Sequence, residues 1–238
     1  TSSSKLVENY SEIPTPKKKK IAVLKDCFDR EGLDSEVKVR IEQTIEKLKE
    51  KGHEIENISF PELDFLVPTY YVLSTAEASS NLARFDGVHY GYRTESPLDM
   101  EETYVKSRTE GFGEEVKRRI MLGTFVLSAG YHDAYYKKAQ QVRRLVQNKT
   151  EKILMDFDFI LSPTTPHTAF DIGNKHTDPT AMYLEDIFTV HANISGNPAI
   201  NLPLYTHSNG MPFGLQLLSK KFKEKELYSI SSELMADL

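Results

Sequence analysis

A strand–helix–strand pattern near the start of the chain places the strongest constraint on its fold. A short apolar run at Ile21–Leu24 predicts a buried strand, and residues 54–60 predict a second one. Between them, apolar residues at helical spacing predict a helix with one buried stripe, formed by Val37, Ile41, Ile45 and Leu48. Asp34 or Ser35 is placed to cap this helix, and Gly52 to end it in a left-handed turn. This βαβ pattern predicts an α/β fold with a parallel or mixed sheet.

The rest of the chain alternates periodic apolar segments with breaks rich in glycine and proline. Helices are predicted at residues 68–84, 100–107, 114–127, 133–155, 179–194 and 224–236. In the helix over 133–155, the predicted buried face consists of Tyr135, Ala139, Val142, Val146 and Ile153. Strands are predicted at residues 158–162, 199–204 and 213–218. The turn pair Asn209-Gly210 lies between the last two strands.

Length and composition indicate an ordinary globular protein. The 238 residues fit one large domain or two small ones, and no apolar run approaches the roughly 20 residues that a membrane-spanning helix needs. The net charge of −5 argues against a chain that grips nucleic acid by itself. Cys27 is the single cysteine, so an internal disulfide is excluded and a reducing compartment such as the cytoplasm is expected.

The first 16 residues have the composition of a flexible leader, with three consecutive serines and two prolines. Because the chain begins with Thr1 rather than Met, we expect this end to arise from cleavage or truncation. The lysines at 17–20 are interpreted as a solvated linker; the alternative is a phosphate-binding patch, but the run is short and has no aromatic residues.

Two long motifs carry a family resemblance. The first is PTYYVLSTAEASSNLARFDGVHYGYR at residues 68–93, and the second, at residues 107–144, places Arg118-Arg119 beside Gly-Phe-Gly. Together with SPTTP, NISGNPAINLP and GMPFGLQLLS towards the C-terminus, these motifs resemble the amidase-signature family. The C-terminal motifs are general to that family. The two long stretches are similar to one branch of it, the glutamine-hydrolysing A subunits of glutamyl-tRNA(Gln) amidotransferases.

The resemblance implies a fold and a biological setting. Residues 17–238 are expected to form the C-terminal half of the amidase-signature fold, a mixed β-sheet flanked by helices. The parent enzyme is expected to hydrolyse L-glutamine and supply ammonia for converting Glu-tRNA(Gln) to Gln-tRNA(Gln) in the cytoplasm. Its partners are expected to be the B and C subunits, with no membrane involved. No cofactor is expected in this chain, because ATP and Mg²⁺ are used by the B subunit.

The family's catalytic groups are two serines and a lysine, and none of them is expected in this chain. Serine needs a positioned base to act as a nucleophile. The only serine-rich run is Ser2–Ser4, with Lys5 beside it, and a flexible terminus cannot hold a reactive geometry. The sequence therefore predicts no catalytic residue and no hydrolysis by the isolated chain. The histidines lack metal-ligand spacing, so no metal site is predicted either.

Three residues are expected to bind substrate. The resemblance implies that Arg119 binds the α-carboxylate of glutamine, that Asp186 binds its α-ammonium group and that Tyr70 lines the pocket with its hydroxyl. A guanidinium fork matches a carboxylate, which fits the role of Arg119. Each residue also has an ordinary structural interpretation. For Arg119 it is a surface salt bridge to Glu114 or Glu115. For Asp186 it is an exposed acid on a helix, and for Tyr70 a core tyrosine.

The sequence also departs from the family pattern at three positions. Ser195 and Asn197 stand where the pattern has a small apolar residue and leucine, and His132 replaces a common tyrosine. Two other functions stay open at this point: another amidase-signature amide hydrolase, and a non-catalytic α/β domain that binds an amino acid.

Overall fold

The structure is a computed structural model that describes residues 9–15, 17–172 and 184–236. The chain forms two compact units. Unit 1 comprises Thr1–Val67 and Leu145–Leu238, and unit 2 comprises Pro68–Arg144. Most of the predicted leader lies outside the described residues, and residues 9–15 form neither helix nor strand. The division into a leader and one amidase-signature portion stays a prediction.

Unit 1 is built on a five-stranded mixed sheet with strand order β2-β1-β3-β5-β4. Strand β1 pairs in parallel with both β2 and β3, whereas β5 pairs antiparallel with β3 and β4. The strands are β1 (Lys20–Leu24), β2 (Glu54–Ile58), β3 (Phe159–Pro163), β4 (Ala199–Thr206) and β5 (Pro212–Ser219). The helices of this unit whose bounds lie within the described residues are α1 (Lys25–Phe28), α2 (Ser35–Glu50), α7 (Val190–Ser195) and α8 (Glu224–Met235). This arrangement confirms the predicted mixed α/β fold.

The β1–α2–β2 segment forms as its sequence predicts. The carboxylate of Asp34 caps α2 by accepting hydrogen bonds from the backbone N–H groups of Glu36 and Val37, at 2.8 and 3.0 Å. Gly52 follows the helix with φ +88°, in the left-handed region that glycine adopts without strain. The predicted apolar stripe is buried at all four positions, Val37, Ile41, Ile45 and Leu48. Local signals therefore determine this part of the fold.

The core of unit 1 lies around the central strands β1, β3 and β5. All five residues of β3 are buried, and β5 is buried from Phe213 onwards. Six apolar residues on these strands have no exposed surface at all, namely Ile21, Ala22, Phe159, Leu161, Leu215 and Leu217. Burial of this apolar surface is the main favourable contribution to the stability of the sheet.

Unit 2 is helical. It contains most of α3 (Leu63–Leu82), all of α4 (Met100–Gly111) and α5 (Glu114–Leu127), and a π-helix at His132–Lys137. Helix α6 (Lys138–Asp156) follows the π-helix, so both boundaries between the units fall inside helices. None of the helices in the described part of the chain is both long and apolar enough to cross a membrane.

Several details of the helices differ from the sequence prediction, and two of them concern Pro68 and Tyr135. Helix α3 begins at Leu63 and contains Pro68, whereas the prediction started it at Pro68. Since proline lacks an N–H group, the helix forgoes one hydrogen bond there. Tyr135, predicted on a buried face, is 44% exposed. It lies in the π-helix, whose wider turn shifts the register of side chains relative to an α-helix.

Candidate functional site

Arg119 lies in the middle of α5, where one carboxylate holds it. Its Nε donates to Oε1 of Glu115, one helical turn earlier, at 3.0 Å. Arg118 contacts the other carboxylate oxygen of Glu115. The hydrogen bond between Arg119 and Glu115 is the main reason that the pKa of Arg119 lies above its usual value. The salt-bridge interpretation of the arginine pair is therefore correct for the partner Glu115.

The guanidinium of Arg119 also lies against an aromatic pair from α3. Its Cζ is 5.6 Å from the ring centroid of Tyr71, a cation–π distance. The ring of Tyr71 in turn meets the ring of Tyr70 edge to face, with centroids 5.4 Å apart. Tyr71 thus connects the two residues of unit 2 that the sequence selects as substrate-binding candidates.

A close approach of α3 and α5 positions this group. A Cβ atom added to Gly123 would lie 2.0 Å from the carbonyl oxygen of Thr75, so only glycine fits between the two helices here. Gly123 is one turn after Arg119 on α5, and Thr75 is one turn after Tyr71 on α3. The backbone contact therefore fixes the position of α5 along the axis of α3, and with it the level at which the guanidinium of Arg119 contacts the ring of Tyr71.

The arrangement leaves Arg119 able to bind an anion. Its Nε is occupied by Glu115, the only carboxylate that it pairs with in the described residues. The two terminal nitrogens of the guanidinium are the pair of donors that binds a carboxylate side by side. The side chain is 36% exposed, so a small solute can reach it.

Asp186 lies in a different setting from the one predicted. The sequence places it inside a helix over residues 179–194, of which residues 179–183 lie outside the described residues. Residues 185–189 form turns, and α7 begins only at Val190. The carbonyl oxygen of Phe188 accepts a hydrogen bond from Nε2 of Gln216 on β5, at 3.1 Å, and this contact anchors the turn to the sheet. The prediction that Asp186 lies inside a helix is therefore wrong.

The turn nevertheless provides a partly protected environment for the Asp186 carboxylate. Asp186 is half-buried, and the next two residues, Ile187 and Phe188, are almost completely buried. A cavity of about 340 Å³ adjoins the same turn, and Glu185 lines it together with His167. Nδ1 of His167 lies 2.8 Å from Oε1 of Glu185. Of the acids in this turn, Glu185 rather than Asp186 lines the cavity.

The structure brings together two of the three predicted binding residues. Arg119 and Tyr70 lie in unit 2 and are connected through Tyr71, while Asp186 belongs to unit 1. The substrate roles of all three stay predictions. The sequence does not identify Tyr71 as a residue that holds Arg119, and it gives Glu115 only as one of two alternative partners. The spacing of four residues between Glu115 and Arg119 was the signal available for that pair.

No group of three or more metal-ligating side chains occurs within residues 9–15, 17–172 and 184–236. Two of the departures from the family pattern have simple structural settings. The ring of His132 packs against Tyr136, with centroids 5.3 Å apart, and Ser195 is buried at the end of α7. Both substitutions are therefore accommodated by local packing.

Comparison with known proteins decides the family. The family described as "Amidase" matches residues 3–228. The chain belongs to the amidase-signature family. Amidase-signature relatives include the A subunit of the glutamyl-tRNA(Gln) amidotransferase of Clostridium botulinum (strain Loch Maree), 50% identical over 97% of this chain and 48% of the relative. Its counterpart in Prosthecochloris aestuarii is 53% identical over 87% of this chain and 43% of the relative. The chain thus spans about half the length of the curated relatives it matches.

Solved structures agree with this membership. The crystal structure of the Thermotoga maritima A subunit of glutamyl-tRNA(Gln) amidotransferase superposes with a TM-score of 0.66 and 38% identity, over 90% of this chain and 41% of that one. A crystal structure described as an amidase has a TM-score of 0.73 at 21% identity, over 95% of this chain and 47% of that one, and supports the fold alone. The predicted amidase-signature architecture is confirmed.

Proposed function

We propose that this chain is part of the glutamine-hydrolysing A subunit of a glutamyl-tRNA(Gln) amidotransferase. The similarity to A subunits, 50% identity across 97% of the chain, is the observation that carries the proposal. The environment of Arg119 supports it, because a reachable guanidinium held by Glu115 and Tyr71 is pre-oriented to receive a carboxylate.

In the proposed reaction, this chain recognises the amino-acid end of glutamine. Arg119 binds the α-carboxylate, Asp186 binds the α-ammonium group, and the hydroxyl of Tyr70 lines the pocket. A zwitterion that meets one cation and one anion is selected over a plain amide. These contacts lie far from the side-chain amide, so their binding energy serves to position that amide for attack.

The bond-breaking groups are proposed to come from outside this chain. A serine nucleophile attacks the side-chain amide carbon of glutamine, and a second serine with a lysine moves the proton to the leaving ammonia. The ammonia then reaches the B subunit, which uses ATP and Mg²⁺ to amidate glutamate on tRNA(Gln). The C subunit holds the other two together. The complex is proposed to be cytoplasmic.

The purified chain is expected to release no ammonia from glutamine, because the groups that activate the nucleophile are proposed to lie elsewhere. Ammonia is measured with a coupled glutamate dehydrogenase assay, and an assembled amidotransferase serves as the positive control. Ammonia release by the chain alone, at a rate above the uncatalysed reaction, contradicts the proposal that the catalytic groups lie outside this chain.

Calorimetric titration of the same chain with glutamine separates the proposal from a non-catalytic amino-acid sensor. Under the proposal, the chain supplies only part of the pocket, so no saturable heat is expected. Tight binding favours the sensor.

Recovery of B and C subunits with the tagged full-length protein from a cell extract separates the proposal from another amidase-signature hydrolase, which has no such partners.

Replacing Arg119 with lysine in the full-length, assembled enzyme is expected to lower kcat/KM for glutamine at least about tenfold, because the lost contact both binds glutamine and positions its amide. Lysine keeps the charge but loses the side-by-side pair of donors. Steady-state ammonia release measures the effect. Arg118→Lys is the matched control, because Arg118 contacts the same Glu115 and its side chain is 63% exposed. An equal loss in both variants argues against a specific role for Arg119.

A further inference from the structure

The guanidinium of Arg119 can offer a carboxylate two different pairs of N–H donors. An anion can approach end-on, to the two terminal nitrogens, or side-on, to Nε and one terminal nitrogen. The two approaches place the body of the bound molecule in different directions from the arginine. The edge of the guanidinium that stays available therefore decides where the rest of a substrate lies.

Glu115 closes the side-on edge of this guanidinium. Its Oε1 accepts the hydrogen bond from Nε of Arg119 at 3.0 Å, and its negative charge repels a second carboxylate at the same edge. Among the hydrogen bonds between described residues, none uses the two terminal nitrogens of Arg119. An incoming carboxylate is therefore directed to the end-on pair of donors.

The ring of Tyr71 limits the remaining freedom of the guanidinium. Its centroid lies 5.6 Å from Cζ of Arg119, so one face of the guanidinium lies against an aromatic ring. One edge is thus held by Glu115 and one face by Tyr71 before any ligand arrives. Because the group is already ordered, less conformational entropy is lost when a carboxylate binds.

Glu115 itself contributes little to the stability of helix α5. Its side chain is 47% exposed, and exposed ion pairs at a spacing of four residues stabilise a helix only weakly. Glu114 also lies in the first turn, so one negative charge remains near the positive end of the helix dipole if Glu115 is replaced. The contact with Arg119 is therefore expected to affect ligand binding more than folding.

We infer that Glu115 is a positioning residue that determines the preference for glutamine over amides that lack an α-carboxylate. It acts through Arg119, and the inference rests on the proposed function, in which Arg119 binds that carboxylate. Without Glu115, the side-on edge opens and glutamine binds in more than one orientation. Its side-chain amide is then misplaced relative to the attacking serine, whereas an amide that makes no contact with Arg119 is unaffected.

The test compares two substrates in the full-length, assembled enzyme. L-Glutamine carries the α-carboxylate, and 4-aminobutanamide has the same amine, chain and amide without it. Glu115→Ala is expected to lower kcat/KM for glutamine at least about tenfold. For 4-aminobutanamide, kcat/KM, or the inhibition constant against glutamine where turnover is too slow, is expected to change less than about twofold. A similar loss with both compounds indicates a merely structural role and overturns the inference.

Two further variants isolate the contact with Nε. Glu115→Gln keeps an oxygen that accepts from Nε, so it is expected to retain most of the glutamine activity that Glu115→Ala loses. Glu114→Ala is the matched control, because Glu114 is exposed in the same turn and Arg119 pairs with Glu115 instead. The inference is overturned if Glu115→Gln is as impaired as Glu115→Ala, or if Glu114→Ala shows an equal loss.

Arg119→Lys separates failure of this inference from failure of the proposed function. If Arg119→Lys lowers glutamine activity and Glu115→Ala does not, Glu115 has no positioning role, and the proposed carboxylate site at Arg119 stands. If neither variant lowers glutamine activity, the proposed carboxylate site is wrong, and the role of Glu115 falls with it.

Discussion

Replacing Gly123 with valine is expected to destabilise residues 68–144 by about 3 kcal/mol. The added Cβ would lie 2.0 Å from the carbonyl oxygen of Thr75 and 2.7 Å from Cβ of Ser79. Backbone atoms of α3 cannot rotate away, so the two helices must separate. Valine improves helix propensity over glycine by only a few tenths of a kcal/mol, far less than the cost of overpacking.

The same substitution is expected to disturb the candidate site. Since the glycine contact sets the spacing of α3 and α5, separation of the helices moves the guanidinium of Arg119 away from the ring of Tyr71. Urea denaturation followed by tyrosine fluorescence measures the stability, because the chain has no tryptophan and most of its tyrosines lie in unit 2. Gly113→Ala is the control, because a Cβ there meets no atom within 4 Å. Equal stability of the valine variant and the parent contradicts the close approach.

Lowering the pH from 7 to 5 is expected to remove about 2 kcal/mol of stability through a single histidine. His191 on α7 is buried between the ring of Phe60 and the hydroxyl of Thr150, which lies 2.8 Å from its Nε2. Burial lowers the pKa of His191 to about 4, because the interior disfavours the charged imidazolium. In the unfolded chain, the pKa of histidine is about 6.5.

The direction of this pH effect on stability depends on whether the unfolded or the folded state binds the proton first. As the pH falls below about 6.5, the unfolded chain binds a proton at His191 while the folded chain does not, so unfolding becomes more favourable. The loss continues until the pH reaches about 4 and totals about 3 kcal/mol. Most carboxyl groups titrate below pH 5, so the interval from 7 to 5 isolates the histidine contribution.

Urea denaturation at pH 7 and pH 5 tests this expectation. His191→Gln has no titrating group at this position, so its stability is expected to change much less over the interval. His132→Gln is the matched control, because the side chain of His132 is 49% exposed. An unchanged pH dependence in His191→Gln shows that another group is responsible.

The parts of the fold that the sequence predicts correctly are those with local causes. Helix α2 has its cap at Asp34, its apolar stripe and its terminal Gly52 within one short segment, and all three occur in the structure. Helix α5 is predicted with the bounds that it has, Glu114–Leu127. The hairpin of β4 and β5 turns at Asn209-Gly210, and Gly210 has φ +84°.

The errors arise where a distant contact overrides a local pattern. The residues around Asp186 have helical periodicity, but the Phe188 carbonyl bonds to Gln216 on β5, which is 28 residues away in sequence. Helix α3 extends to Leu63 because Leu63 and Leu66 are buried, although the proline at 68 favours a helix start. The bond between Phe188 and Gln216 leaves no signal within a short window of sequence.

In the candidate site, too, the local contacts are predicted from the sequence and the contacts between distant residues are not. The family resemblance selects Arg119 and Tyr70, and the spacing on α5 pairs Arg119 with Glu115. The contact between Arg119 and Tyr71 depends on how closely α3 approaches α5 at Gly123, and a lone glycine in a helix does not reveal its neighbour. Similarly, the family pattern identifies Asn197 as unusual, but only the structure shows that its oxygen lacks a donor.

The place of unit 2 in the chain has a consequence for folding during synthesis. Strand β1 pairs with β3 through Ile21 and Phe159, and all of Pro68–Arg144 is translated between the two. Non-local pairing of this kind is slow, because a long loop must close first. We therefore expect the helices of unit 2 to form on the ribosome while β1 and β2 are still unpaired with β3. The sheet is completed only after β3 has left the exit tunnel.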